Sequence, residues 1–175
     1  RVVFNDVYTE GIAKITSKDI HYAKEMGRDI KLLGVARCQE DGVEAYVCPM
    51  LIPAEHPLAS VNDSYNAVFV HGDAVGDTMF YGRGAGELPT ASAVAGDVFE
   101  VVRNMKADCC GRVGCTCYKT LPVKNMADTH NRYFLRLQVE DRCGVLAEIL
   151  EHFAKYQASV AQIMQKESKR PDTAE

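Results

Sequence analysis

The feature that most constrains the fold is the segment 82–94, which reads GRGAGELPTASAV. It follows a β-rich run, TMFYG, and three of its first five residues are glycine. It leads into apolar residues at positions 94, 98, 101, 102 and 105, which is the spacing of an amphipathic helix. The pattern therefore predicts a strand, a glycine-rich loop and a helix in direct succession, with Thr90 as the helix N-cap.

A loop in this position presents backbone N–H groups and the positive end of a helix dipole to whatever lies in front of it. That arrangement suits an anion, or a flat ring that the main chain approaches closely. The segment is not the dinucleotide fingerprint G-x-G-x-x-G, because Glu87 stands where the last glycine belongs. From the residue pattern alone, a structural turn that uses the positive φ of glycine is the simpler interpretation.

Upstream, the sequence predicts one short helix. Thr16 and Asp19 form a capping box at its start, and Gly27 is placed to end it.

Two β-hairpins follow in the sequence pattern. The runs IKLLGVARC and VEAYVCPMLI flank Glu40-Asp41-Gly42, which predicts a type I′ turn. The runs NAVFVHG and TMFYG flank a turn at 73–77. Together these elements predict an α+β fold, with a mixed, largely antiparallel sheet covered by helices.

Composition narrows the classes of function. The formal net charge is -4, from 20 basic and 24 acidic residues mixed along the chain, which argues against a nucleic acid or membrane-surface partner. No apolar run approaches the roughly 18 residues of a membrane span, and the N-terminus has no signal-peptide pattern. We therefore expect a cytoplasmic protein.

The seven cysteines argue against a complete disulfide framework, because their number is odd and no secretion signal is present. Four of them, Cys109, Cys110, Cys115 and Cys117, crowd into DCCGRVGCTCYK. Their spacing differs from the paired C-x2-C of zinc sites. We predict reduced thiols in a loop and no metal site.

The segments VYTEGIAKIT, IKLLGVAR and NAVFVHGDAVGDTMFYGRGAGELPTASAVAGD closely resemble the C-terminal half of the substrate and dimerisation domain of homoserine dehydrogenase. GAG-x-x-PTASAV is the most specific part of the resemblance. The resemblance implies an oxidoreductase that interconverts L-homoserine and L-aspartate 4-semialdehyde with NADP or NAD, in the biosynthesis of threonine, methionine and isoleucine. It also implies that Gly86 lies at the nicotinamide end of the cofactor.

The same resemblance implies that this chain carries no catalytic residue. The family's dinucleotide-binding domain, which holds most of the cofactor, and its proton-shuttling lysine have no counterpart in the 175 residues. Lys14, Lys18 and Lys31 stand in other contexts and are interpreted as solvated or locally paired. We expect no dehydrogenase activity from the chain alone.

Five other side chains are weaker candidates for a site. His71 precedes the glycine loop but is interpreted as structural, and Asp73 and Asp77 are explained by turn chemistry. Asp6 and Glu10 are candidates for the substrate cleft of the full enzyme, although nothing in their spacing requires that role.

A second domain follows a linker at 121–131, where Pro122 and a polar cluster interrupt the hydrophobic periodicity. Alternating apolar residues at 133–139 predict a strand with one buried face, and an apolar stripe at 145–153 predicts a helix. The run ASVAQIMQ predicts a second strand, completing a βαβ unit. The predicted domains are therefore residues 1–120 and 132–175.

The motif VEDRCGVLAEILEHFA resembles the opening of an ACT domain, with Cys143 where that family usually has proline. The resemblance implies the first half of a ferredoxin-type module, with an amino-acid effector bound near Asp141 and Gly144. The homoserine dehydrogenase resemblance suggests threonine as the effector. A half-module leaves an unpaired strand edge.

Two functions remain open at this stage. The first is a portion of an oxidoreductase with a regulatory tail, and the second is a non-catalytic ACT-type amino-acid sensor. Because the presumed sheet is the self-association surface of the family, we expect a homo-oligomer, at least a dimer.

Overall fold

The computed structural model describes residues 2–109, 119–166 and 173–174. Contacts divide the chain into two compact units, Arg1–His130 and Asn131–Glu175. Residues 121–130, interpreted above as linker, group with the first unit. The predicted fold class is confirmed, because helices accompany strands that are mostly antiparallel. Among the described residues the strands form three sheets, and two of them lie in the first unit, where one sheet was predicted.

The first helix, α1 (Ser17–Glu25), begins as predicted. The Asp19 carboxylate accepts hydrogen bonds from the Thr16 backbone N–H at 2.7 Å and from the Thr16 hydroxyl at 2.6 Å. In return, the Asp19 N–H donates to the Thr16 hydroxyl oxygen at 3.4 Å. The helix ends before Gly27, whose φ of 68° only glycine adopts freely.

A three-stranded sheet lies beside α1. Its order is β1-β3-β2, formed by β1 (Tyr8–Thr9), β2 (Arg28–Gln39) and β3 (Gly42–Pro53). β2 and β3 are antiparallel, from Arg28 opposite Pro53 to Gln39 opposite Gly42. β1 runs parallel to β3, and a bridge between Val43 and Val123 extends the same edge of β3.

The β2–β3 turn corrects one prediction. The two loop residues are Glu40 and Asp41, and neither they nor Gly42 has a positive φ, so the turn is not type I′. Position 42 requires glycine for a different reason. A Cβ at Gly42 would lie 2.7 Å from the carbonyl oxygen of Pro122, so position 42 must lack a side chain for the 121–126 segment to approach.

The second predicted hairpin is confirmed. β4 (Tyr65–Gly72) pairs antiparallel with β5 (Gly76–Arg83), and residues 73–75 form a three-residue loop that ends at Gly76, with φ 70°. A three-residue loop closed by a left-handed glycine is a common hairpin connection. Lys31 ties the preceding loop to β2, because its ammonium donates to the carbonyl oxygen of Val61 at 2.7 Å.

The long helix α2 (Glu87–Lys106) follows the glycine-rich loop. Its N-cap is Gly86, so the prediction of Thr90 as N-cap is wrong. Pro89 explains the earlier start. The first turn of a helix has no intrahelical acceptors for its N–H groups, so proline is tolerated there. The Thr90 N–H instead makes a helical hydrogen bond to the Gly86 carbonyl at 3.2 Å.

The second unit contains β6 (Val139–Glu140), α3 (Val145–Lys155) and β7 (Thr173–Ala174), with β6 antiparallel to β7. The helix is confirmed, but the two long predicted strands are not, because residues 131–138 and 158–165 have no strand assignment. In a ferredoxin-type sheet the strands that flank the first helix are separated by the third strand. Among the described residues of this unit, strand pairing is limited to Val139–Glu140 with Thr173–Ala174.

Large apolar side chains are exposed on α2 and on the β4–β5 hairpin. Phe80 and Phe99 are each 65% exposed, and Val68 is 61% exposed. Buried apolar side chains of the first unit, such as Ala23, Tyr46 and Ile52, belong to α1 and β3. Among the residues described, no helix combines the length and the apolar character needed to cross a membrane.

Candidate functional site

The candidate site is the glycine loop, residues 82–86, at the junction between β5 and α2. Gly82 and Arg83 complete β5, and Gly86 precedes the first residue of a 20-residue helix. The strand and the helix therefore hold the loop at both ends, as the sequence predicts.

Gly86 has φ 122° and ψ 155°, a conformation open to glycine but strained for other residues. It makes no side-chain cap, and the first helical bond comes from Thr90. The N–H groups of Glu87 and Leu88 therefore have no acceptor within the helix. They add to the positive end of the helix dipole, which favours a negatively charged or electron-rich ligand group.

Gly84 is held in place by residues at the start of β4, the strand that pairs with β5. Its N–H donates to the carbonyl oxygen of Ser64 at 3.1 Å. A Cβ at position 84 would overlap the side-chain amide of Asn66 and lie 2.6 Å from its Cγ. Gly84 has no positive φ, so this glycine provides close approach and not unusual backbone geometry.

An aromatic stack lies beside the loop. The rings of Tyr65 and Tyr81 are nearly parallel, with centroids 4.9 Å apart, and the guanidinium carbon of Arg83 lies 5.2 Å from the Tyr65 ring centroid. The stack orders the open end of the β4–β5 strand pair, from which the chain enters α2. Sequence reasoning missed Ser64, Asn66 and both tyrosines, because their approach to the loop depends on the β4–β5 register.

His71 lies at the other end of the hairpin. It pairs with Asp77 across the strands, with 2.6 Å between His71 Nδ1 and Asp77 Oδ1. Asp77 is six residues before Arg83 on β5, which is about 20 Å at the rise of a strand. His71 is therefore not beside the loop, and the Asp77 carboxylate pairs with the imidazole of His71.

The candidates near the N-terminus make local contacts. Glu10 accepts a hydrogen bond from the Tyr8 hydroxyl at 3.1 Å and pairs with Lys14 at 3.5 Å. The bond to Glu10 raises the pKa of the Tyr8 phenol. Burial raises the pKa of the Cys48 thiol, and the Glu10 charge adds to that effect.

Asp6 accepts a hydrogen bond from the Val3 N–H at 3.2 Å and lines an open groove of about 540 Å³ with residues 5–8 and 121–126. A role for Asp6 in a substrate cleft stays a prediction.

The two predicted effector residues lie at the start of α3. Gly144 is the helix N-cap, with φ 95°, and Asp141 is three residues before it. Between them, Arg142 binds Glu148 with two parallel hydrogen bonds of 3.0 Å each. This pair lowers the pKa of Glu148 and raises that of Arg142, because each charge stabilises the other.

Of the four clustered cysteines, Cys109 lies among the described residues. Cys109 is exposed, and its thiol donates to the Asn104 side-chain oxygen at 3.4 Å. Cys110, Cys115 and Cys117 lie outside the described residues. Within the described part of the chain, no cluster of three or more His, Cys, Asp or Glu side chains could hold a metal.

Comparison with known proteins matches the chain to one family. Residues 1–99 match the family described as homoserine dehydrogenase. The homoserine dehydrogenase of Pseudomonas aeruginosa is 43% identical over 174 residues, and that of Corynebacterium glutamicum is 46% identical over 173 residues. These alignments cover 97% and 95% of this chain, but only 40% and 38% of the relatives.

Solved structures give the same result. A homoserine dehydrogenase from Thiobacillus denitrificans has a TM-score of 0.80 at 38% identity, covering 98% of this chain and 40% of that one. The Staphylococcus aureus homoserine dehydrogenase at pH 7.5 has a TM-score of 0.63 at 30% identity, covering 99% and 41% of the two chains. The chain therefore belongs to the homoserine dehydrogenase family and spans about 40% of the length of its relatives.

Proposed function

We propose that the chain is part of an NAD(P)-dependent oxidoreductase that interconverts L-homoserine and L-aspartate 4-semialdehyde. In this role the glycine loop closes against the nicotinamide end of the cofactor, with Gly86 in contact with the ring. The observation that carries the proposal is the conformation of Gly86 at the uncapped start of α2, in a chain of this family.

The chemistry of the loop is suited to this contact. A glycine with φ 122° presents bare backbone to a flat ring, where any side chain would intrude. The N–H groups that follow it can donate to an acceptor on the cofactor. We place the remainder of the cofactor on a dinucleotide-binding domain, because the 175 residues contain no G-x-G-x-x-G fingerprint that would hold its pyrophosphate.

The second unit is proposed to be an amino-acid-sensing regulatory tail. The antiparallel pairing of β6 with β7 is the relation that the first and third strands have in a ferredoxin-type sheet, which supports an ACT-like arrangement. We place the effector, threonine in the first instance, at the start of α3 near Asp141 and Gly144. There the N–H groups of the helix would receive its carboxylate.

We also propose that the chain associates as a homo-oligomer, at least a dimer. The exposed face of the β4–β5 sheet carries Val68, Val70 and Phe80. A contiguous apolar face of this kind is typical of an association surface.

The test of the activity is a comparison of the natural polypeptide that contains these residues with the 175-residue chain alone. We expect the former, and not the latter, to reduce NADP or NAD when homoserine is added. Omission of homoserine is the control for background reduction. If the natural polypeptide shows no homoserine-dependent reduction but binds threonine in calorimetry, the alternative of a non-catalytic amino-acid sensor replaces the proposal.

A further inference from the structure

We propose that Asn66 is a positioning residue for the glycine loop, because its carboxamide sets the place of Gly84 and through it the orientation of Gly86. The functional half of this inference rests on the proposed contact between the loop and the nicotinamide. The structural half depends only on contacts within the first unit.

The first step is the fit between the two residues. Asn66 lies on β4 directly opposite Gly82, and its side chain reaches along the sheet to the backbone of Gly84. A Cβ at Gly84 would lie 3.2 Å from the Cβ of Asn66 and 2.6 Å from its Cγ, and would overlap the amide nitrogen. The Asn66 amide therefore fills the space that a side chain at position 84 would take.

The second step is the constraint on the loop. Movement of Gly84 toward β4 is opposed by the Asn66 side chain. Movement away from β4 breaks the 3.1 Å bond between the Gly84 N–H and the Ser64 carbonyl. Two opposed contacts on one residue define a narrow range of positions, and Gly86 is only two residues further along the chain.

The third step is that polar contacts within the described residues do not explain the position of the amide. In the part of the chain that the structure describes, no hydrogen bond or ion pair engages the Asn66 side chain, which is exposed. We therefore attribute the position of the Asn66 amide to its packing against Gly84.

The experiment is a double-mutant cycle of Gly84→Ala and Asn66→Ala, with Gly82→Ala as the matched control. Gly82 belongs to the same loop and faces Asn66 in the register, yet a Cβ there would meet nothing within 4 Å. The first readout is amide hydrogen exchange at position 84 in the 175-residue chain. The second is the KM for the cofactor, separated from kcat, in the natural enzyme.

We expect Gly84→Ala to speed exchange at position 84 and to raise the cofactor KM by about fivefold, a usual size for coupling between residues in contact. Addition of Asn66→Ala should reverse most of both effects, because it removes the overlapped atoms. Gly82→Ala should leave amide exchange at position 84 near wild type, because its Cβ would meet nothing within 4 Å. Asn66→Asp, which keeps the side-chain shape, should leave exchange at position 84 near wild type.

Equal effects of Gly84→Ala with and without Asn66→Ala would overturn the positioning role. Restored exchange with an unchanged KM in every variant would overturn the functional half alone. If the wild-type polypeptide shows no homoserine-dependent activity, the proposed function fails, but the exchange measurements still decide whether Asn66 positions the loop.

Discussion

The carbonyl oxygen of Pro122 occupies the space that a side chain at Gly42 would need, since a Cβ there would lie 2.7 Å from that oxygen. The approach is part of a short parallel bridge. The Val43 N–H donates to the Pro122 carbonyl at 2.9 Å, and the Lys124 N–H donates to the Val43 carbonyl at 2.9 Å. The glycine at the β2–β3 turn thus admits a third stretch of chain to the edge of β3.

Replacement of Gly42 by alanine should displace this bridge. The neighbouring atom is main chain and cannot rotate away, so we expect a loss of about 1–3 kcal/mol in the free energy of unfolding. Faster amide exchange at Lys124 should accompany the loss. Gly34→Ala is the matched control, because the nearest atom to its Cβ, on Val47, would be 3.8 Å away. Equal exchange rates at Lys124 in the two variants would contradict the interpretation.

The helix caps allow a direct comparison of two threonines. Thr16→Ala should cost about 0.5–2 kcal/mol of stability, because Thr16 exchanges hydrogen bonds with the buried Asp19. Thr90→Ala should change stability by less than about 0.5 kcal/mol, since Thr90 is exposed inside α2. Chemical denaturation of both variants measures the difference. A larger loss from Thr90→Ala would restore it as the N-cap.

The contrast between these two threonines shows where sequence reasoning succeeds. The capping box at Thr16 and both hairpins were predictable, because their signals are local and the strands alternate with turn residues. The start of α2 was not, because Thr90 and Gly86 are both acceptable caps and the choice depends on whether proline enters the first turn. The reason for Gly42 was not predictable either, because Pro122 is remote in sequence.

The same limit applies to the candidate site. The glycine loop was apparent from the sequence, since glycine spacing and helical periodicity are local signals, whereas Gly86 was singled out only by the family resemblance. Ser64 and Asn66 were not apparent, because a residue can be placed beside the loop only after the hairpin register is known. In the second unit, the strands around α3 depend on a neighbouring strand, so alternation alone could not decide whether they form.

The exposed Arg142–Glu148 pair should add a small, acid-sensitive stabilisation to the second unit. The hydrogen bonds from Arg142 lower the pKa of Glu148 below its ordinary value of 4.5. The stabilisation from the ionised Glu148 is therefore fully present above pH 4.5, the unfolded-state pKa. It is lost as the pH falls through the lower pKa that Glu148 has in the folded state. Carboxyl titration by NMR should show the Glu148 pKa rising toward 4.5 in Arg142→Gln. Arg132→Gln is the control, and a similar rise there would contradict the assignment.

Self-association should depend on the exposed face of the β4–β5 sheet. We expect light scattering at micromolar concentration to give at least twice the chain mass of 19.3 kDa. Phe80→Glu should reduce this mass toward that of the monomer, because a charge would enter an apolar contact. Ile12→Glu is the control, since Ile12 is 58% exposed and lies in neither β4 nor β5. A wild-type mass near 19.3 kDa would contradict the proposal.

Gly86 separates a cofactor contact from a structural turn. Replacement of Gly86 by alanine or valine places a Cβ on a backbone with φ 122°, which should cost about 1–3 kcal/mol of stability in either case. The space around that Cβ is adequate, because the nearest atom, on Pro89, would be 3.4 Å away. Strain, not collision within the chain, is therefore the expected source of the loss.

The kinetics of the natural enzyme distinguish the two roles of Gly86. If Gly86 contacts the nicotinamide, Gly86→Val should lower kcat/KM for the cofactor by at least about tenfold, equivalent to about 1.4 kcal/mol, in enzyme that remains folded. Gly96→Ala is the matched control, because Gly96 lies inside α2 with nothing within 4 Å of its Cβ position. That variant should be slightly more stable, with unchanged kinetics, because alanine favours a helix over glycine. A stability loss in Gly86→Val with wild-type cofactor kinetics would mean that the loop is a turn, and the cofactor contact would then be wrong.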